Sequence, residues 1–194
     1  MTIGSSEALE AGVRTREQAM TSDQFWDLVE ESRRGFRADR KDGNMDRQEG
    51  ELRDLLMKLT PEQVKGFDDW FHSRMIEAYT WDLWGAATLL SGDYCSDDAF
   101  SDFRSWLISM GRPVYEGALA DPESLANAAH APGVEDIFFE GFQYVSSQVY
   151  EERTGEEFTE YTDSYPEDPV GTKWWESAQD VQQKYPRLGA SAKA

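Results

Sequence analysis

From Phe25 onward the apolar positions recur at three- and four-residue spacing, and no stretch of useful length alternates with period two. That pattern predicts helices throughout: an all-α chain, folded as a compact orthogonal helical bundle with an irregular C-terminal arm. Thr21, Ser22 and Asp23 offer N-caps ahead of Phe25, Trp26 and Val29. Asp42-Gly43-Asn44 breaks the chain, and a second helix is expected to about Lys58, with Leu52, Leu55, Leu56 and Leu59 on one face. Thr60-Pro61-Glu62-Gln63 combines a capping threonine, a proline at the first helical position and a capping-box glutamine. Phe67, Trp70, Phe71, Met75 and Ala78 then trace one face, with Arg74 in its middle. Arg74 is either a snorkelling stem or a buried cation with an acidic partner.

Trp81 to Leu90 is apolar nearly all round, which predicts a central buried helix carrying Asp82 as its one charge. Ser91-Gly92-Asp93 ends it. Ser96 caps the next helix, Asp97 and Asp98 occupy its first turn, and Phe100, Phe103, Trp106, Leu107 and Met110 form its buried face. Gly111 is a natural stop. A short helix follows Asp121-Pro122-Glu123 and breaks at Ala131-Pro132-Gly133. Val134 to about Arg153 is expected as the last long helix, with Ile137, Phe138, Phe142, Val145 and Val149 inward and Gly155 closing it. The organisation expected is a mobile extension over 1–20, a helical domain over 21–155 and an acidic, aromatic arm over 156–194. Tyr161, Tyr165, Trp174, Trp175 and Tyr185 are too much aromatic area to leave in water, so the arm should dock on the domain through Trp174 or Trp175, ahead of a short helix to Tyr185. The competing expectation leaves these rings free for a partner.

Composition adds two constraints. Seven Trp, eight Tyr and ten Phe mean that aromatic rings build the core. Thirty-eight Asp and Glu against 19 Lys and Arg leave a net charge of −19, which argues against nucleic-acid and anionic-membrane partners. A partner docking on that surface would be basic. Cys95 is the one cysteine, so no internal disulfide and no cysteine-based zinc site is expected, in keeping with a reducing cytoplasm. Residues 1–20 lack the apolar core of a secretory signal, and no run approaches a membrane span.

Several strings point to a family. FW near the start of 23–59, TPEQV at 60–64, WDLWGAA at 81–87, CSDDAFSDFRSWLISMGR at 95–112, DPESLA at 121–126 and the helix from Phe142 to Tyr150 together resemble a bacterial family known only as domain-of-unknown-function family 4240. The order SDD-x-F-x-x-FR-x-WLI-x-x-GR is its most specific part, since no structural rule demands it. The resemblance implies a compact helical bacterial protein and carries no reaction with it.

The chemistry-bearing residues concentrate between 74 and 112. Asp93, Asp97, Asp98 and Asp102 are either helix caps or ligands of a hard cation; the twelve-residue calcium pattern is absent, so caps are expected and no metal or cofactor. At 100° per residue Asp97 falls on the edge of the Phe100/Leu107 face, beside Arg104. Asp82, Arg74, Arg104 and Arg112 form either an anion pocket or an ion-pair network, with Asp82 expected to pair with at least one of the three arginines. Trp81 belongs to aromatic stripes that either line a cavity or simply fill the core. Cys95 precedes a helix start, where a thiol pKa falls, yet lacks an evident base: His72 and His130 are the only histidines, and a buried structural thiol is the stronger reading. No G-x-S-x-G elbow, P-loop or G-x-G-x-x-G is present. With no catalytic set complete, the leading expectation is a cytoplasmic, cofactor-free binding or accessory protein of immunity or regulatory type, acting through a protein or peptide partner. The alternative is an enzyme or small-molecule sensor with an Asp/Arg site between residues 81 and 112. Spare guanidinium donors opening into a cavity favour the alternative; a closed network favours the first.

Overall fold

Side-chain caps set where several of the helices begin. The computed structural model describes residues 20–92, 94–158 and 165–191; residues 1–19 of the stretch expected to be mobile, Asp93 and Tyr161 lie outside them, while Met20, the last of that stretch, is held by the Trp70 Nε1 donating to its carbonyl at 2.8 Å. In chain order the helices are α1 Ser22–Ser32, α2 Asn44–Leu56, α3 Pro61–Glu77, α4 Trp81–Leu90, α5 Asp97–Ser109, α6 Arg112–Ala120, α7 Leu125–Ala128, α8 Val145–Thr154, α9 Ala178–Lys184 and α10 Pro186–Ser191. Thr21 and Thr60 each close a full capping box, with Gln24 and Gln63, and the Ser96 hydroxyl accepts from the Ala99 amide at the start of α5. The described residues hold no strand, only a parallel bridge between Thr80 and Val170, so the protein is all-α. No described helix is long and apolar enough to cross a membrane.

The core is aromatic, as the composition required. Phe25, Phe67, Phe100, Phe103, Trp106 and Phe142 are fully buried. A run of rings links α4 to α5: Trp81 stacks on Trp84 at 5.3 Å, Trp84 on Phe100 at 4.8 Å, and Phe100 on Phe103 at 6.1 Å. Helix α3 packs against both α5 and α8 and is the wall they share.

Two segments depart from the periodicity. The helix expected from Val134 begins only at Val145, after an irregular run and a 3₁₀ turn over Gly141–Tyr144. The Asp136 carboxylate accepts from the amides of Ile137 and Phe138, offering the backbone a partner that competes with a helix. The Phe139 amide donates across to the Asp102 carbonyl at 3.1 Å. Ile137 and Phe139 are buried and Phe138 less so, an alternation of short range that a helical reading of the same residues hides. Helix α6 was not expected; Gly111, at φ +90°, turns the chain directly from α5 into it, and Pro113 sits in its first turn.

The arm crosses α4. Trp175 is buried and its Nε1 donates to the Trp81 carbonyl at 3.1 Å, while Val181, Tyr185 and Leu188 are also buried. A Cβ at Gly85 would lie 2.8 Å from Trp175 Nε1, so the glycine of WDLWGAA is what admits the indole.

Candidate functional site

The residues singled out in the sequence separate into two groups. Among the described residues Asp82 meets no arginine. It accepts from Lys184 Nζ at 3.0 Å and from Trp174 Nε1, and both partners come from the arm. The apolar neighbours that made Asp82 look like a buried charge belong to the other side of α4; its own side leaves it half-exposed, facing the arm. Arg74 pairs with Glu77 at 2.6 Å and lies 5.3 Å from the Trp70 ring centre, and exposed Arg112 pairs with Asp23 and Glu116. Trp81 supports Trp84 and Trp175. Asp82, Arg74, Arg112 and Trp81 are not among the residues of the cleft that Arg104 lines, and among the described residues no ion pair joins Asp82 to Arg74, Arg104 or Arg112.

Asp97 and Arg104 do come together. With Ser101 they occupy successive turns of one face of α5 and form one wall of a cleft of about 880 Å³. Helix α3 supplies the opposite wall through Asp68, Phe71, His72 and Met75, and the Gly141–Tyr144 turn with α8 closes one side. Phe158 and Tyr165 bring in the arm.

Arg104 is the unusual group. It is 3% exposed, and among the described residues no carboxylate lies within 4 Å of it. Its Nη1 donates to the Met75 carbonyl at 2.9 Å, in the last turn of α3, where the helix dipole favours a cation. Its Nε donates to the Phe100 carbonyl at 3.2 Å. The guanidinium carbon sits 4.7 Å from the ring centre of Tyr79, 4.9 Å from Phe100 and 5.3 Å from Tyr165. Burial pulls its pKa down to about 10, against the weaker opposing pull of Tyr79 and Asp97. Nη2 hydrogen-bonds no atom of the described residues, and Arg104 lines the cleft, which leaves a charged donor in reserve there.

Asp68 was not singled out in the sequence. It lies one residue after Phe67 on α3, and its spacing to Phe71 and Met75 puts it on the buried face. Its Oδ1 accepts from the Ser146 hydroxyl of α8 at 2.5 Å, and burial lifts its pKa to about 6 in spite of that bond. A carboxylate three residues before one buried aromatic and seven before a buried methionine was the signal available. Tyr165 gave no comparable signal, since it reaches Arg104 from the arm.

The other chemical candidates recede. Cys95 is buried and its thiol pKa is pushed up to about 12 by burial, so it behaves as a core residue. Asp102 accepts from Gln143 Nε2 at 3.2 Å, tying α5 to the 3₁₀ turn. Among the described residues no three His, Cys, Asp or Glu side chains gather closely enough to hold a metal ion. The arrangement at Arg104 can therefore orient and neutralise a ligand through a desolvated guanidinium, aromatic faces and nearby carboxylates.

No curated protein and no solved structure matches the chain. One protein family does: its sequence profile, described as "Protein of unknown function (DUF4240)", matches residues 20–152, a span that takes in all of α1 to α7 and most of α8. The chain belongs to that family.

Proposed function

We propose that the protein is a binding protein whose ligand enters the cleft over Arg104. One observation carries this reading: Arg104, a residue only 3% exposed, lines the cleft with no acidic partner among the described residues and with its Nη2 bonded to none of them. An unpaired buried charge is expensive, and an ion pair or an apolar side chain would fill the same space at lower cost. A ligand that meets the charge makes it useful. Trp174 and Trp175, which as free rings would have offered a partner a docking motif, are engaged with α4. The partner class expected from the sequence, a protein or peptide, is kept here as a peptide end small enough for the cleft.

A library of small charged molecules and short peptides, screened by thermal shift against the full chain and Arg104→Met, tests the reading. A ligand at a hundred times its Kd stabilises by about 2.7 kcal/mol. Stabilisers that act on wild type and fail on Arg104→Met support the proposal; stabilisers indifferent to the substitution, or none at all, overturn it. An enzyme is the second reading, favoured by Asp68, a cleft carboxylate whose pKa near 6 suits a general base at neutral pH. Turnover of a cleft ligand by wild type and its loss in Asp68→Asn, with binding retained, would select that reading.

A further inference from the structure

The charge around Arg104 narrows what the cleft takes. Six carboxylates line it among the described residues, those of Asp68, Asp97, Asp98, Glu151, Glu157 and Glu167, against the single guanidinium. A simple anion would gain Arg104 and meet the repulsion of six acids, five of them exposed around the cleft, whose summed charge outweighs one guanidinium. A simple cation would satisfy the rim and leave the guanidinium unmet. Only a molecule with both charges answers both features.

We propose, on the reading of the cleft as a binding site, that its ligand is a basic amino-carboxylate: a carboxylate for Arg104 joined through an aliphatic stem to a cationic head for the acidic rim. The geometry fits an arginine- or lysine-like residue, free or at the C-terminus of a peptide. Arg104 and Asp97 are seven residues apart on α5, roughly 10 Å along the axis at their Cα atoms, and the Nε–Phe100 bond folds the guanidinium back one turn toward Asp97, so a stem of three or four methylenes spans the shorter gap between the charged groups. Tyr79 and Tyr165 stand beside Arg104, and Phe71 and Phe158 complete an apolar lining for the stem. Asp97 and Asp98 are exposed, so they are open to the cationic head and meet it with the modest strength of a surface ion pair.

Isothermal titration calorimetry of the full chain against L-arginine, agmatine, glutarate, the tripeptide Gly-Gly-Arg and its C-terminal amide tests this. Agmatine and the amide lack the carboxylate, and glutarate lacks the cation. The expected result is that L-arginine or Gly-Gly-Arg binds at least tenfold more tightly than all three controls, and at least tenfold more weakly to Arg104→Met. Asp97→Asn, at an exposed helix start, should weaken the same probe several-fold and keeps the test alive should Arg104→Met fold poorly. A preference for the free amino acid or for the tripeptide identifies the source, and either supports the proposal. Agmatine equal to L-arginine overturns it, as does the absence of binding by any probe at millimolar concentration. Glutarate binding best, and lost in Arg104→Met, overturns this ligand class while leaving the cleft as a site.

Discussion

A single residue shows most clearly what burial does in this protein. Asp68 is 5% exposed and its pKa stands near 6, above the ordinary 3.8. An acid raised in the folded state holds its proton there at pH values where the unfolded chain has lost it. Its cost to stability is therefore fully present above pH 6 and disappears as the pH falls through 6 toward 4. The difference is on the order of 3 kcal/mol. Asp68→Asn should accordingly be more stable than wild type at pH 7.5 and should lose that advantage at pH 4. Urea denaturation at the two pH values measures it, and an advantage independent of pH would contradict the assignment. Asp82 makes the opposite case. Read from the sequence it is a charge on a buried helix, and breaking a buried ion pair costs about 3–5 kcal/mol; its half-exposed pair with Lys184 places Asp82→Asn at about 1 kcal/mol or less in a melting experiment. The helical wheel gives the direction of a side chain relative to its own helix. It does not reveal that a segment about a hundred residues later will lie against the polar side.

At the scale of elements, the capping signals of α1, α3 and α5 were readable because they act within three or four residues of the chain. The proximity of Asp97 to Arg104 was readable for the same reason, since one helix carries both. The non-helical run before Val145 was not: its apolar residues satisfy a helical spacing on paper, while Asp136 and the Asp102 carbonyl bind its amides instead. Gly85 shows local preference giving way to packing. Ala in place of Gly inside an exposed helix gains up to about 1 kcal/mol. Here the new methyl would meet Trp175 at 2.8 Å, and overpacking costs about 1–3 kcal/mol, so Gly85→Ala should lower the melting temperature. Trp175→Ala should largely remove the effect of the glycine substitution, and additive losses in the double variant would contradict the contact.

At the scale of the whole molecule, a net charge of −19 works against compactness. Raising NaCl from about 10 mM to about 300 mM shortens the screening length several-fold and should raise the melting temperature. A flat or falling response would show that the surface acids are compensated in ways the ion pairs do not suggest. The cleft is where this acidic excess meets a buried cation, and the central claim is that Arg104 is retained for a ligand and contributes little net stability. Removing it sacrifices the bonds to the Met75 and Phe100 carbonyls and the contacts with three aromatic rings, and relieves the desolvation that lowers its pKa. The central claim requires the two to nearly cancel. The most direct measurement is urea denaturation of the unliganded wild type and Arg104→Met at neutral pH. The account predicts unfolding free energies equal to within about 1 kcal/mol; a loss of 3 kcal/mol or more would show that Arg104 holds the fold together and contradict its role as a site.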